Sequence, residues 1–240
     1  MCVIFFAFNA HPDYPLILLA NRDEYYDRPS ATAAYWKDHP DIYGGRDLAS
    51  GGTWLGVTKS GRFAAVTNYR DPSASTGTRS RGDLVAGFLK NDTPPQSYLE
   101  QIQSRGIEYS GFNLLVGTIG HTNELSYYSN RGGAPKQLAP GIYGLSNHLL
   151  DTPWPKVVNG KASFTDLLNK GEITDKNLLG ILADETLAAD EELPSTGIPY
   201  EAEKAISAIF IKTEGYGTRC SSLLKFSSDF EWSLEEKVFV

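Results

Sequence analysis

The segment CVIFFAFNAHPDYPLILLANRDE, residues 2–24, contains two apolar runs joined by a turn that carries two prolines. The runs Cys2–Asn9 and Leu16–Asn21 have the length of buried β-strands, and Pro12 and Pro15 interrupt the chain between them. Antiparallel strands are the ones that a short turn can join. We therefore expect these two strands to form an antiparallel hairpin.

The following segments predict more strands and several helices. Residues 53–70, TWLGVTKSGRFAAVTNYR, are typical of two strands joined at residues 59–61, where Gly61 allows a positive φ. Further strands are expected at Phe112–Thr118, Leu125–Asn130 and Ile142–Ser146, with three or four more in the tail segments AISAIFIK, TRCSSLLKF, EWSL and KVFV. Helical spacing marks residues 81–91, 95–104 and 154–184, with Asp92 or Thr93 and Thr174 or Asp175 as candidate caps.

Strands and helices come in blocks instead of β-α-β units, which favours an antiparallel α+β sandwich of two sheets with helices outside. The glycine-rich stretch DIYGGRDLASGGT, residues 41–53, is expected to be a loop. The acidic stretch DEELPSTGIP, residues 190–199, is expected to be a mobile surface loop. Because no composition shift marks a boundary, residues 1–240 are predicted to form one domain.

Composition excludes several classes of function. The net charge of −7 argues against a nucleic-acid partner, and no apolar stretch has the roughly 18–20 residues of a membrane helix. The first residues lack the basic segment of a secretory signal, and two cysteines in 240 residues are typical of a reducing compartment, so we expect a cytoplasmic protein. The four histidines show no metal-ligand spacing, so neither a metal nor a cofactor is predicted, and the oligomeric state stays open.

Cys2 can be interpreted in two ways. Free cysteine is a small hydrophobe that packs well at the start of a buried strand. Alternatively, removal of Met1 would give one residue both a thiol and a free α-amine, which is a nucleophile with its own base. The side chains elsewhere in the sequence decide between these interpretations.

Polar side chains end several predicted strands. In NRDE, residues 21–24, alternation places Asn21 and Asp23 on one face and Arg22 and Glu24 on the other. Asn68, Asn147 and Arg219 also lie at predicted strand ends, in TNYR, LSNH and GYGTRCSS. Taken singly, each is an ordinary turn residue or surface charge.

Together these side chains meet the needs of a terminal cysteine nucleophile. An α-amine has a pKa of about 7.7–8.0 and can accept the thiol proton, while a carboxylate such as Asp23 can hold the amine in place. Arg22 or Arg219 can lower the thiol pKa and hold an anionic part of the substrate. The amides of Asn68 and Asn147 are neutral donors suited to a tetrahedral oxyanion.

The chain resembles the NRDE family, which includes the transport and Golgi organisation protein 2 group. The resemblance runs through the whole chain in the stretches MCVIFF, LLANRDEYYDRP, GGTWLGVTKSGRFAAVTNYRDP, RGDLV, GFNLLVG, YYSNRGG, GIYGLSNHLLDTPWPKV and GYGTRCSSLL. That family is in turn similar to cysteine N-terminal-nucleophile (Ntn) hydrolases, in particular penicillin V acylases and bile salt hydrolases. The resemblance implies a four-layer α-β-β-α sandwich and hydrolysis of non-peptide amide bonds.

The resemblance also implies roles for individual residues. Cys2 matches the nucleophile, Asp23 the carboxylate that orients its amine, Asn68 and Asn147 the asparagines around the oxyanion, and Arg219 the arginine beside the thiol. The acylases carry an arginine three residues before the aspartate, where this chain has Ala20. Its own arginine, Arg22, is adjacent to Asp23, and we assign Arg22, Asn21, Trp54 and Tyr26 to substrate binding.

Two functions from different classes remain open. The first is a thiol-dependent amidohydrolase acting on a small acylated or lipid-like substrate, with Cys2 as the nucleophile. The second is a non-catalytic binding or transfer protein for lipid, acyl-coenzyme A or haem, since the resemblance links eukaryotic relatives to secretory-pathway organisation and to the Golgi or mitochondria. The aromatic residues Tyr25, Tyr26, Trp36, Tyr43 and Trp54 could line an apolar pocket for such a ligand, and His148 is a weak candidate for a haem ligand.

Overall fold

The computed structural model describes residues 2–74 and 76–240, and two antiparallel sheets form its centre. The first sheet contains, from edge to edge, β10 (Gly141–Leu145), β1 (Cys2–Phe8), β2 (Leu16–Tyr25), β11 (Tyr216–Phe226) and β12 (Trp232–Val238). The second contains β3 (Ser30–Tyr35), β4 (Ile42–Asp47), β5 (Leu55–Thr58), β6 (Arg62–Asn68), β7 (Phe112–Thr118), β8 (Glu124–Ser129) and β9 (Lys136–Gln137), in sequence order. The predicted hairpin is confirmed as β1 and β2, which pair along the whole of β1.

Alternation along the hairpin separates two apolar layers. The even-numbered residues of β1, among them Ile4 and Phe6, pack with Phe63 of β6 between the sheets. The odd-numbered residues, among them Val3 and Phe5, face away from the second sheet and pack with residues outside it. Both faces of β1 are therefore buried, which explains why its sequence is an unbroken apolar run.

Helices cover the outer faces of both sheets. On the second sheet lie α1 (Gly82–Leu89) and α2 (Pro95–Gln103), and on the first lie α3 (Pro155–Lys170) and α4 (Asp175–Ile181). A short helix, α5 (Tyr200–Ala205), precedes β11. The predicted four-layer α-β-β-α sandwich is therefore confirmed. No helix among the residues that the structure describes is long and apolar enough to span a membrane.

The predicted loop at residues 41–53 is wrong in its first half, because β4 occupies Ile42–Asp47. The strand contains glycines because neighbouring atoms leave no space for a side chain at these positions. A Cβ on Gly44 would lie 2.6 Å from the Leu55 carbonyl oxygen, and one on Gly45 would lie 2.3 Å from the Trp54 ring. Glycine here marks close approach within a sheet.

Three further local predictions also need correction. The segment AISAIFIK forms no strand, since α5 ends inside it at Ala205, and EWSL and KVFV contribute to one strand, β12. Neither Asp92 nor Thr93 caps α2, which begins after Pro94. In contrast, Thr174 caps α4 as expected, since its side chain accepts a hydrogen bond from the Asn177 N–H.

Candidate active site

The register of the first sheet brings Cys2 and Arg22 side by side. Cys2 pairs with Arg22 across β1 and β2, and Cys220 of β11 pairs with Arg22 from the other side. Residues directly opposite in an antiparallel pair project to the same face. The Arg22 side chain therefore lies between two thiols, on the face that looks toward the second sheet.

A cavity of about 250 Å³ opens at this end of the sandwich. Its lining residues come from both sheets and from the start of α1: Cys2, Arg22, Asp23, Glu24, Arg28, Asp47, Ser50, Thr53, Trp54, Val66, Asn68, Arg79, Ser80, Arg81, Gly82 and Ser110. Most of these side chains are polar, and four of them are arginines. The cavity is built for a polar or charged group beside the cysteine.

Asp23 is the buried carboxylate of the site. It is 1% exposed, and the Thr218 hydroxyl donates to its Oδ1 over 2.7 Å. Burial raises the Asp23 pKa, while the charge of Lys156 and the Thr218 hydrogen bond lower it. A β-bulge at residue 219 sets this contact, because it shifts the register so that Thr218 faces Asp23 and Cys220 faces Arg22.

The environment of Cys2 keeps its thiol protonated. Burial raises the pKa of the thiol, and the charge of Asp23 raises it further. Arg22 lowers the pKa, as the sequence predicts, but burial outweighs this effect. The thiol therefore needs a base before it can act as a nucleophile.

The two asparagines lie close together in different environments. The Asn147 side chain is fully buried, and its Nδ2 donates to the Asn68 carbonyl oxygen over 2.9 Å. Asn68 lines the cavity, and its side-chain amide makes no hydrogen bond within the described part of the chain. Ser146 ties this loop to the start of β1, since its hydroxyl donates to the Cys2 carbonyl oxygen over 3.3 Å. Asn68 is thus placed to donate into the cavity, while Asn147 fixes the loop around it.

Trp54 supports Arg22 from one side. The Arg22 guanidinium carbon lies 4.1 Å from the centroid of a Trp54 ring, and one of its nitrogens donates to the Ser30 hydroxyl over 3.3 Å. Stacking on an aromatic face holds a guanidinium in place without consuming its hydrogen-bond donors. Most Arg22 donors are therefore available to the cavity.

Besides Asn147, three expected site residues do not line the cavity. The Arg219 guanidinium turns instead to the carbonyl oxygens of Tyr25, Arg28 and Val240, because the bulge takes its side chain out of the alternation. Asn21 faces the helical layer, where its Nδ2 donates to the Leu182 and Ile209 carbonyl oxygens over 2.8 and 3.0 Å. The Tyr26 hydroxyl packs against Gly217 on β11.

The proposed aromatic pocket is also not formed as a unit. Of its five members only Trp54 lines the cavity. Trp36 is buried outside the sandwich interior, and its Nε1 donates to the Gly44 carbonyl oxygen. Tyr43 packs against Tyr35 and Trp232, and Tyr25 is largely exposed. Trp36, Tyr43 and Tyr25 therefore serve core packing or lie at the surface, and they do not form a ligand pocket with Trp54.

A buried polar network behind the site was not identified from the sequence. The Asn113 Nδ2 donates to Thr67 Oγ1 over 3.0 Å and to the His148 carbonyl oxygen over 2.9 Å, and its Oδ1 accepts from the Tyr127 hydroxyl over 2.8 Å. The network joins the second sheet to the loop that carries Asn147. Asn113 is the second residue of the apolar strand β7, and that mismatch is the one signal the sequence offers.

Comparisons with known proteins concern the family and the fold. A family model described as Transport and Golgi organisation 2 matches residues 1–240. The Transport and Golgi organization protein 2 homolog of Bos taurus is 37% identical over 99% of this chain and 92% of its own length, and the Drosophila melanogaster protein is 28% identical over 95% and 89%. Among solved structures, the Caenorhabditis elegans N-acylethanolamine-hydrolyzing acid amidase ortholog covers all of both chains at 10% identity with a TM-score of 0.53. This last likeness shows a shared fold.

Proposed function

The chain belongs to the Transport and Golgi organisation 2 family, and from that premise we propose that it is a thiol-dependent amidohydrolase whose nucleophile is Cys2 after removal of Met1. One observation supports this proposal above the others: Cys2 of β1, Arg22 and Asp23 of β2, and Asn68 of β6 all line one cavity. Burying such groups together is costly unless they serve a ligand or a reaction.

The chemistry starts at the α-amine of Cys2. The amine accepts the thiol proton, and the sulfur attacks the carbonyl carbon of the substrate amide, so that the C–O π electrons move to oxygen. Asn68 donates to that oxyanion, while Asp23, held by Thr218, orients the ammonium group.

Collapse of the intermediate breaks the C–N bond, and the leaving amine takes the proton from the ammonium group. Water then attacks the thioester with the amine as base, and the C–S bond breaks. The products are a carboxylic acid and the original thiol.

The experiment uses a chain in which a protease-cleavable leader directly precedes Cys2. Hydrolysis of a panel of N-acylethanolamines and N-acylglycines is measured before and after cleavage, with intact mass as the check on the new terminus. We expect activity after cleavage only, and a loss of at least about 10³-fold in Cys2→Ala. The matched control is Cys220→Ala, which removes the other free thiol and should stay within about threefold of the wild type.

Activity in the uncleaved chain, or unchanged hydrolysis in Cys2→Ala, would contradict the proposed mechanism. If the cleaved protein consumes no amide but purifies with a bound lipid or haem, the carrier function becomes the better account. The polar lining of the cavity disfavours that outcome, because lipid sites are lined mostly by apolar side chains.

A further inference from the structure

The arginines of the cavity fall into two groups. Arg28 is satisfied by carboxylates, since it lies 2.7 Å from an Asp47 oxygen and 3.9 Å from a Glu24 oxygen. Arg79 is paired with Glu108 over 3.2 Å at the surface. Both guanidiniums therefore already have carboxylate partners.

Arg22 and Arg81 are different. Neither forms an ion pair with any of the residues that the structure describes, although Arg22 is 6% exposed. Arg22 donates to one hydroxyl, on Ser30, and Arg81 to one carbonyl oxygen, on Gly111 over 3.2 Å. A buried guanidinium without a counter-charge is costly, and it leaves several donors for a ligand.

The start of α1 adds to this positive field. Arg81 precedes the helix and Gly82 is its first residue, and both line the cavity. A Cβ on Gly52 would lie 2.5 Å from the Gly82 carbonyl carbon. Because position 52 is glycine, the loop before Trp54 can pack directly against the start of α1. The N-terminus of a helix carries a partial positive charge that favours anions.

Cys2 lies within electrostatic range of Arg81. Burial lowers the pKa of the Arg81 guanidinium, and the charge on Cys2 is the largest of those that oppose this shift. The Cys2 sulfur, Arg22, Arg81 and the start of α1 therefore share one small cavity.

We propose that this cavity contains an anion subsite, in which Arg22 and Arg81 together bind an oxyanion of the substrate, a carboxylate or a phosphate, while Cys2 faces the amide carbonyl. This subsite rests on the proposed function and specifies its substrate class, which is an amide with a negatively charged group close to the bond that is broken. Guanidinium groups bind both oxyanions by paired N–H donors.

The test compares three substrates with the same acyl chain: N-octanoylethanolamine, which is neutral, N-octanoylglycine, which carries a carboxylate, and the O-phosphate of N-octanoylethanolamine. With Cys2 exposed, we expect kcat/KM for at least one anionic substrate to exceed the neutral one by about 10- to 100-fold, the range expected for a charged hydrogen bond. The anion that is preferred identifies its source. Equal kcat/KM for all three would overturn the subsite and leave the hydrolase intact.

Arg81→Met should lower kcat/KM for the preferred anion by about 10- to 100-fold more than it lowers kcat/KM for the neutral amide. Arg81→Lys should recover part of the loss, because it restores the charge without the paired donors. Arg131→Gln is the control, since Arg131 pairs with Asp71 over 3.5 Å and does not line the cavity. An equal loss on charged and neutral substrates would mean that Arg81 only supports the fold.

Binding separates this proposal from the hydrolase itself. In Cys2→Ala, calorimetry should give a lower Kd for the anionic ligands than for N-octanoylethanolamine, and Arg81→Met in that background should remove the difference. This result would support the subsite even if no amide were hydrolysed. Equal affinities in Cys2→Ala would overturn it even if the enzyme were active. Melting temperatures of all variants show whether a loss reflects unfolding, in which case Arg81→Lys and the wild-type substrate series decide.

Discussion

The strands β1, β2, β6 and β11 build both ends of the sandwich, and the two ends bury different groups. At one end Phe8, Leu16, Phe63 and Phe226 pack together, with Phe63 and Phe226 rings 5.9 Å apart. At the other end the same strands bury Arg22, Asp23, Thr67 and Thr218. Burial of the apolar side chains stabilises the fold, whereas the desolvation cost of the polar side chains is offset only by hydrogen bonds or by a ligand.

Two arginines sharpen this comparison, because each lies at one end of the sandwich. The Arg62 guanidinium carbon lies 3.9 Å from the Phe88 ring centroid, much as Arg22 stacks on Trp54 at 4.1 Å. Arg62 Nη2, however, donates to the Phe88 and Thr93 carbonyl oxygens over 3.1 and 2.9 Å, whereas Arg22 donates to one hydroxyl. Arg62 therefore uses its donors within the fold, whereas most donors of Arg22 remain available to a ligand.

The largest effect should come from the apolar end. Phe63→Ala should lower the free energy of unfolding by about 3–5 kcal/mol, because it leaves a cavity that the neighbouring β-strands cannot fill. Urea unfolding measures this loss, and the folded fraction should keep its activity. Cys2→Ala is the comparison at the polar end, with an expected change within about 1 kcal/mol. A small loss for Phe63→Ala would show that the two ends do not divide stability and chemistry in this way.

The sequence predicts the apolar end well and the polar end poorly. The apolar runs within residues 2–21 and the turn at Gly61, which has φ of 82°, depend on local chemistry, so both could be predicted. The strand at Gly44 and Gly45 could not, because their close contacts come from other segments. Nor could the position of Arg81, or the path of Arg219 away from Cys2, because each depends on how distant segments align.

Lys156 is buried at the polar end, and its titration makes the free energy of unfolding depend on pH. Its Nζ donates to the Ile206 and Ala208 carbonyl oxygens over 2.9 and 3.4 Å, and burial lowers its pKa from 10.5 to about 8. Between these two values the unfolded chain holds a proton that the folded chain lacks. Stability relative to Lys156→Met should therefore rise from pH 8 to 10.5, by about 2–3 kcal/mol.

The measurement is urea unfolding of the wild type and Lys156→Met at several pH values, since the difference between them removes groups that titrate in both. The charges that act on Lys156 are those of Asp23, Arg70, Cys2 and Glu203, and Asp23 favours its charged form. A flat difference between pH 8 and 10.5 would mean that Lys156 stays protonated in the folded protein. The polar end would then hold one more positive charge than we infer.

The smallest effect is the difference between the two stacked arginines. Arg62→Met should cost about 1–3 kcal/mol of unfolding free energy, because it leaves the Phe88 and Thr93 carbonyl oxygens without that donor. Arg22→Met should change stability by less than about 1 kcal/mol, since it removes one bond to Ser30 and also a buried charge without a counter-charge. The two substitutions are chemically identical, so urea unfolding compares the two ends directly. A larger loss for Arg22→Met would assign Arg22 to the structure, and it would remove one of the two guanidiniums from the anion subsite.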